Sequence, residues 1–339
     1  MKIHVTILLL GCSLFSVAQI PADLIAKKCD SIFNSYNNNP GVAVLIVQDG
    51  KTAFEKGYGL ASLEYNIPIT PTTVFDIASV SKQFTGYAIS ALIQQGKISP
   101  DDDIHKYLPD VPDFGKKITI RNLIHHTSGL RDWPEGLHAA GWRWEDAFSW
   151  QDIMRMVKQQ KELDFEPGSR YQYSNTGYNL LAAIIGKVTG KTLPVWVDEN
   201  IFKPLQMNSS QVLTDYSAVI KNVAESYYWD NGFHKSNDML TAWGSSSIFT
   251  TVEDLAKWVI RFQQGLDEKD PVYMRMIETD KLSNGEKNTY AYGNEVTDDQ
   301  GLLNINHTGG WAGFATVIST YPGQKISIIL LSNNGTFDS

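Results

Sequence analysis

Residues 79–82, Ser79-Val80-Ser81-Lys82, are the most informative stretch of the chain. It places a serine hydroxyl and a lysine amine three positions apart at the predicted first turn of a helix, where residues i and i+3 share one face. A neutral amine in that place can accept the serine proton and turn a weak nucleophile into a strong one. No other lysine in the sequence has a serine three positions before it. The alternative is an N-capping serine followed by a solvated lysine.

The residues that follow Lys82 favour a buried lysine. The stretch 83–89 has the composition of a buried helix, predicted to run from Ser79 to Gln95 and to stop at Gly96. Burial disfavours the charged form of an amine and so lowers its pKa, as a base requires. The first turn of a helix also presents free backbone N–H groups, which suit a developing oxyanion.

A second polar segment, Tyr173-Ser174-Asn175, follows in the order that an acyl-transfer site of this type needs. Tyr36-Asn37-Asn38 and Tyr292-Gly293-Asn294 share the pattern, but the first ends an amphipathic helix and the second lies inside a predicted strand. Only Tyr173 lies in a loop, after Pro167-Gly168, that leads directly into a helix. A tyrosine beside Lys82 can relay a proton to a leaving group, and the asparagine can hydrogen-bond a substrate carbonyl or amide. Ordinary loop packing is the alternative for both side chains.

A third segment, His307-Thr308-Gly309-Gly310, lies at the edge of a predicted strand near the end of the sequence. Glycines weaken a strand and usually mark the close approach of something else, here a substrate backbone or, alternatively, a bulge. The N–H of Gly310 would complete an oxyanion hole with that of Ser79. His307 is predicted to be a base, a hydrogen-bond donor or a packed surface residue.

Strand patterns occur at both ends of the chain and helical patterns lie between them. The dense apolar run Gly41–Val47 ends at Asp49-Gly50, which predicts a hairpin that returns through Lys51–Tyr58. Later strands are predicted at Leu302–Asn306, Ala315–Tyr321 and Lys325–Ser332. Helices are predicted at Ala22–Tyr36, Ile120–His126, Trp150–Gln160, Tyr178–Thr189 and Leu193–Ile201, and from a capping box at Thr251 through Phe262.

This order predicts an α/β (α+β) domain over residues 22–339, with an antiparallel sheet flanked by helices. Residues 22–77 and 240–339 would form the α/β lobe, and a mainly helical lobe, 78–239, would be inserted between them. Ser79 would then lie at the seam of the two lobes, a common place for a site.

Residues 1–18 are predicted to be a signal peptide, cleaved before Gln19 after the small residues Ser16 and Ala18. The stretch 9–12 also fits a lipoprotein box, which would give a lipid-anchored form. Cleavage leaves Cys29 without a partner for an internal disulfide. The expectation is an exported bacterial protein, periplasmic or extracellular, with no later transmembrane segment. A net charge of −8 argues against nucleic acid as a partner.

The chain resembles the serine β-lactamase and penicillin-binding-protein superfamily, in particular its class C-like branch of β-lactamases, D,D-peptidases, D-aminopeptidases and esterases. The resemblance covers nearly all of the chain after residue 18. It rests on four segments in the family's order: 75–82 (FDIASVSK), 118–130 (ITIRNLIHHTSGL), 165–175 (FEPGSRYQYSN) and 307–310 (HTGG).

The resemblance implies a role for each matching residue. Ser79 would be the nucleophile, and Lys82 and Tyr173 the shared acid/base. The N–H groups of Ser79 and Gly310 would form the oxyanion hole. Substrate contacts are expected from Asn175, His307, Thr308 and Gly309. No cofactor is implied.

Two departures from the family pattern matter. Many members carry lysine where His307 stands, and a mostly neutral histidine offers no fixed charge to a substrate carboxylate. This lowers the expectation of efficient β-lactam hydrolysis. The sequence also ends at Ser339, just after the apolar strand 325–332, where the family adds a packing helix. We therefore expect a fragment whose native form continues with at least one amphipathic helix.

Two further clusters invite a functional interpretation. His125-His126 resembles a metal pair, but adjacent helical residues do not face one ligand, and no metal is expected. Trp133, Trp142, Trp144 and Trp150 would either line an aromatic substrate wall or form a hydrophobic plug between helices, which is the interpretation we favour.

The leading hypothesis is a serine hydrolase that forms an acyl-enzyme with an ester, amide or peptide carbonyl. Within the superfamily, the alternative is a cell-wall D-Ala-D-Ala carboxypeptidase or a weak β-lactamase. A reading of another class is a penicillin-binding sensor that acylates without turnover. The sequence leaves the natural substrate and the oligomeric state open.

Overall fold

The computed structural model describes residues 20–143, 146–237 and 239–337. The predicted signal peptide, the lipoprotein box and Trp144 lie outside the described residues. The N-terminal hairpin has the predicted form, with β1 at Val42–Gln48 and β2 at Lys51–Tyr58. Asp49 and Gly50 between them have φ of 51° and 71°. A two-residue hairpin turn with positive φ at both positions matches the natural twist of the strands.

The hairpin joins strands from the far end of the chain in one antiparallel sheet. The C-terminal strands are β3 (Glu295–Asp299), β4 (Leu302–Trp311), β5 (Phe314–Tyr321) and β6 (Ile326–Ser332). The six strands of the sheet lie in the order β3-β4-β5-β6-β1-β2. In register, Val42 of β1 lies opposite Ser332 and Gln48 opposite Ile326. The mixed α/β class with an antiparallel sheet is therefore confirmed.

Both faces of β1 are covered, which explains why its apolar run does not alternate with polar residues. Val42 and Val44 pack with Ile25, Cys29 and Phe33 of the first helix. The alternate residues, 43, 45 and 47, belong to the main core, to which the long helix at Val252–Asp267 contributes. The thiol of Cys29 is buried and free.

Helices occupy the chain before β1 and between β2 and β3. They are α1 (Ala22–Phe33), α2 (Lys82–Gln94), α3 (Ile120–Ile124), α4 (Trp133–Ala139), α5 (Trp150–Gln159), α6 (Asn175–Thr189), α7 (Leu193–Val197), α8 (Val252–Asp267) and α9 (Pro271–Arg275). A 3₁₀ turn, Ala78–Ser81, precedes α2, and a π-helical turn, Asp198–Phe202, extends α7. Sequence patterns predicted neither α4 nor α9.

Short strands occur between the helices. They lie at Leu60–Ser62, Ile67–Pro68, Phe75–Asp76, Gln211–Val212, Tyr227–Trp229, Phe233–Lys235, Ile248–Thr250, Asp280–Lys281 and Lys287–Asn288. The pair Phe75–Asp76 and Ile248–Thr250 flanks the segment that carries Ser79.

Two local predictions are wrong. Tyr292-Gly293-Asn294 lies in a bend before β3 and not inside a strand. A Cβ on Gly293 would come within 2.3 Å of the Lys82 carbonyl oxygen, so this bend packs against the start of α2. The helix expected to reach His126 ends at Ile124, and His126 has a φ of 56°.

In the described part of the chain, no single helix is long and apolar enough to cross a membrane. One sharply bent pair, Asn175–Thr189 with Leu193–Phe202, has the required length and composition only when its two helices are taken together.

Candidate active site

Ser79 lies in the 3₁₀ turn that leads into α2. Ala78 before it adopts a left-handed φ of 45°, a conformation unfavourable for a residue with a side chain. Asp76 supports this geometry, because its Oδ1 accepts a hydrogen bond of 2.8 Å from the Ala78 N–H. On the other side, Thr316 of β5 donates to the Ile77 carbonyl at 2.9 Å. The turn is thus held from two sides while Ser79 stays partly exposed.

Lys82 is completely buried directly below this turn. Its Nζ lies 3.2 Å from Ser79 Oγ, 2.7 Å from Asn175 Oδ1 and 2.8 Å from the Ser245 carbonyl oxygen. Burial lowers the pKa of Lys82 to about 7, although the charge of Asp132 acts in the opposite direction. Carbonyl oxygens only accept hydrogen bonds, so they take the two N–H groups of a neutral amine. The lone pair of the amine is then left for the hydroxyl proton of Ser79.

Tyr173 covers the same amine. Its ring centroid lies 4.8 Å from Lys82 Nζ. Burial raises the pKa of Tyr173 above its ordinary value, and the nearby Ser79 hydroxyl only partly opposes this effect. Near neutral pH the phenol therefore keeps its proton. Of the two predicted acid/base groups, Lys82 is thus the one that can lose its proton near neutral pH, and the catalytic roles of both stay predictions.

The free edge of β4 borders the Ser79 turn. This strand pairs with β5 as far as Trp311, but with β3 only up to Asn306. The remaining edge carries Thr308 and Gly310, which are exposed, and Gly309, which is buried. The oxyanion role of Gly310 and the substrate contact of Thr308 stay predictions.

Gly309 was expected to contact the substrate, but in the structure it packs closely against the Ser79 turn. A Cβ there would lie 2.4 Å from the Ile77 carbonyl oxygen and 3.1 Å from the Ser79 nitrogen. The register between β4 and β5 is continuous, so the bulge alternative is wrong. The close approach is that of the protein's own nucleophile turn, and not that of a substrate backbone.

His307 is also not free to bind a substrate carboxylate. Its Nδ1 donates to the Thr308 carbonyl at 2.6 Å, and its Nε2 accepts from the Tyr290 hydroxyl at 2.8 Å. Burial, with the charge of Lys82, lowers the pKa of His307 to about 3. The ring is therefore neutral and fully hydrogen-bonded, which corrects the expectation of a direct substrate contact.

This geometry predicts that His307 confers no pH dependence on carboxylate binding between about pH 5 and 9, because the depressed pKa keeps the ring neutral throughout. The measurement compares the affinities of a carboxylate ligand and its methyl ester. It uses the Lys82→Met variant, because the pKa of the neighbouring Lys82 amine lies within this range. We expect a constant ratio of the two affinities. A ratio that falls through about pH 6.5 would show a charged His307.

The sequence analysis missed Asp132 as a member of the site. Its Oδ2 accepts a 2.8 Å hydrogen bond from Asn175 Nδ2, and its Oδ1 accepts one of 3.1 Å from the Thr176 N–H. The Asn175 amide, expected to contact substrate, thus bridges Asp132 and Lys82. A signal existed, because an Asp followed by Trp133-Pro134 is typical of a helix start.

Trp133 and Trp142 of the tryptophan-rich stretch belong to a hydrophobic cluster beside Asp132, whereas Trp150 packs against Trp243. Trp133 is almost inaccessible and lies 5.8 Å from both Phe148 and Trp311 between ring centroids. Trp142 lies 5.1 Å from Phe148. The cluster joins α4 to the end of β4, as a hydrophobic plug would.

The two adjacent histidines face different partners. His125 Nδ1 lies 2.7 Å from the Tyr290 carbonyl oxygen, so it donates there. His126 Nδ1 accepts from the Ser174 N–H at 3.1 Å, and its ring lies 4.3 Å from that of Tyr173. Burial holds the pKa of His126 well below its usual value. His126 is thus a neutral ring that packs beneath Tyr173.

A serine whose hydroxyl contacts a buried lysine with a pKa lowered to about 7, on a sheet of this topology, is typical of a class of serine hydrolases. The comparisons with known proteins agree, because the β-lactamase family model matches residues 29–338. The chain belongs to the β-lactamase family.

Similar proteins include penicillin-binding protein 4* of Bacillus subtilis (strain 168), which is 30% identical over 308 residues, covering 86% of this chain and 67% of that protein. Protein flp of Staphylococcus aureus (strain MW2) is 30% identical over 313 residues, covering 87% of this chain and 59% of that protein. The chain thus spans about two thirds or less of these relatives' own length.

Solved structures show the same fold. The octameric penicillin-binding protein homologue from Pyrococcus abyssi matches with a TM-score of 0.78 and 26% identity, over 93% of this chain and 73% of that one. A D-stereospecific amidohydrolase from Streptomyces sp. and EstCE1, a hydrolase with promiscuous acyltransferase activity, match with TM-scores of 0.74 and 0.75 at 21% identity, and each match covers more than nine tenths of both chains.

Proposed function

We propose that this serine hydrolase works through an acyl-enzyme on Ser79 and acts on an ester, amide or peptide carbonyl. The observation that carries the proposal is the buried Lys82 amine, 3.2 Å from the Ser79 hydroxyl, with a pKa of about 7. A base with a pKa near the working pH is unprotonated in a large fraction of molecules and still strong enough to take the serine proton.

The reaction then has two balanced steps. Ser79 Oγ attacks the carbonyl carbon while its proton passes to Lys82, and the oxyanion is stabilised by the N–H groups of Ser79 and Gly310. Collapse expels the leaving group, which receives the proton from Lys82 through the Tyr173 hydroxyl. Water attacks the acyl-enzyme by the same path in reverse and releases the acid and the free serine.

The charges around the site favour acyl donors without a carboxylate. His307 is neutral, as described above. Burial raises the pKa of Tyr171 and of Tyr173, and the carboxylate of Glu295, at the start of β3, adds to this increase. The negative charge of Glu295 therefore acts on this side of the site. A substrate carboxylate bound near these residues would meet like charge, which the neutral His307 ring would not offset. Uncharged esters and amides avoid this repulsion.

A second candidate is a D-Ala-D-Ala carboxypeptidase or weak β-lactamase, and the observation that favours it is the similarity to penicillin-binding protein 4*. A third, from another class, is a penicillin-binding sensor without turnover. Both predict acylation of Ser79 by penicillin, so labelling alone does not separate them from the proposed function.

The test is intact-protein mass spectrometry during incubation with short p-nitrophenyl esters, D-amino-acid amides, nitrocefin and a fluorescent penicillin. We expect a transient acyl mass on Ser79 and turnover of uncharged esters or amides. Rapid release of D-alanine from a peptide, with slow ester turnover, would favour the peptidase. A stable penicillin adduct without turnover of any substrate would contradict the proposal and indicate a sensor.

A further inference from the structure

The carboxylate of Asp132 is linked to Lys82 through a single side chain. Asp132 lies at the N-terminus of α4 and accepts hydrogen bonds from Asn175 Nδ2 at 2.8 Å and from the N–H groups of Thr176 and Trp133 at 3.1 Å each. The other end of the same amide, Asn175 Oδ1, accepts from Lys82 Nζ at 2.7 Å. The three groups form one hydrogen-bonded chain of carboxylate, amide and amine.

The direction of this chain is decided at Asp132. A carboxylate can only accept hydrogen bonds, so the NH₂ end of Asn175 must face it and the oxygen end must face Lys82. A neutral lysine amine imposes no such choice, because it can donate or accept. If the amide were turned round, its Nδ2 would donate to the lone pair of Lys82. That lone pair is the one that has to receive the Ser79 proton.

We infer that Asp132 is a positioning residue for the base: by fixing the orientation of Asn175, it keeps the lone pair of Lys82 directed at Ser79. This role rests on the proposed function. The Ser245 carbonyl, 2.8 Å from Nζ, holds the second N–H of the amine in the same way. Together the two acceptors leave the amine one productive orientation.

Asp132 in its ionised form also supplies charge to the site. Burial raises the pKa of this carboxyl group, and the hydrogen bonds from Thr176 and Asn175 oppose the increase. The groups facing Lys82 are the Ser79 hydroxyl, the Tyr173 and Tyr178 rings at 4.8 and 5.8 Å, the Asn175 amide and the Ser245 carbonyl. The neutral rings of His126 and His307 are near enough for the charge of Lys82 to lower their pKa. Against burial, which lowers the pKa of Lys82, the charge of Asp132 raises it.

The Asp132→Asn variant separates positioning from helix capping. The new amide keeps an oxygen for the Thr176 and Trp133 N–H groups, but presents its NH₂ to Asn175, which is then expected to turn round. We expect kcat/KM for an ester to fall by about 10²-fold, within the range for losing a positioned base. With the negative charge gone, the acidic limb of the pH profile should move to lower pH. The melting temperature should change by only about 2–4 °C.

The reciprocal swap, Asp132→Asn with Asn175→Asp, restores an acceptor opposite Lys82. The carboxylate now contacts the amine directly, so the acidic limb should move above that of the wild type. At pH values above this new limb, activity should exceed that of Asp132→Asn by about tenfold or more. Ser149→Ala is the capping control, because Ser149 caps α5 through the Asp152 N–H and lies outside the site. It should lower stability by about 1 kcal/mol and leave the pH profile unchanged.

The outcomes are distinguishable. A wild-type protein that forms no Ser79 adduct would overturn the proposed function. If the adduct forms, Asp132→Asn with the wild-type rate and limb would overturn the role of Asp132 alone. A swap variant no more active than Asp132→Asn at every pH would overturn it as well. A shifted limb in Asp132→Asn, together with recovery in the swap, would support it, since a purely structural role would move neither.

Discussion

Replacement of Ser79 by alanine is expected to abolish covalent labelling by a fluorophosphonate probe and to lower kcat/KM for an ester by roughly 10³-fold or more. The residual rate would come from substrate binding and the oxyanion hole, which a missing nucleophile leaves in place. Ser79 is only partly buried and the Lys82 amine keeps its other two acceptors, so the fold should persist. The measurements are gel labelling, steady-state kinetics and a far-UV circular dichroism spectrum.

Ser81→Ala is the matched control. Ser81 is two residues away and buried, and its hydroxyl accepts from the Ile248 N–H at 3.2 Å. Its removal should cost about 1 kcal/mol of stability while labelling continues. Labelling that persists in Ser79→Ala, or that moves to Ser81 in that variant, would contradict the assignment of Ser79 as the nucleophile.

Replacement of Lys82 by methionine is expected to lower kcat/KM by roughly 10³-fold, because an apolar side chain of similar length cannot take the serine proton. In the wild type, kcat/KM should rise through an apparent pKa of about 7, and the variant should lack this limb. Lys257→Met is a suitable control: the Lys257 amine contacts Asp254 and the Gln206 carbonyl outside the site. A Lys82→Met enzyme of near wild-type activity would contradict the assignment.

The same variant gives a second readout that does not depend on activity. The folded-state pKa of Lys82 is about 7, whereas in the unfolded chain it is expected near 10.4. Between these values the unfolded chain binds more protons, so stability rises with pH. The free energy of unfolding of the wild type should therefore increase relative to Lys82→Met from about pH 7 to 10. A constant difference over that range would indicate an unperturbed lysine.

The elements best predicted from sequence are those whose signals are local. The sequence predicts the N-terminal hairpin within a residue or two of its observed bounds. Its strands β1 and β2 and the Asp49-Gly50 turn are determined locally, by the apolar run and by the residues of the turn. The strand β3, Glu295–Asp299, was missed because its polar sequence does not read as a strand until its pairing with β4 is known. Tertiary pairing decides such edge strands.

The residues of the candidate site also divide into those with a local sequence signal and those that depend on tertiary contacts. The proximity of Ser79 and Lys82 follows from helical spacing, and Tyr173 from its place before α6. The burial and full hydrogen bonding of the His307 ring did not follow, because its partner Tyr290 comes within hydrogen-bond distance only in the folded protein. Asp132 was missed for a similar reason: its link to Asn175 spans 43 residues and is visible only when α4 and α6 meet.

Lys82, the proposed base, obtains its other hydrogen-bond acceptors from residues 93 and 163 positions further along the chain. Until those segments have docked, the amine is hydrated and carries a proton at any physiological pH. A chain that has not finished folding thus contains both Ser79 and Lys82, but it has no neutral amine to accept the serine proton. The lowered pKa that makes Lys82 the proposed base is therefore a property of the folded protein, because it requires burial of the amine among these segments.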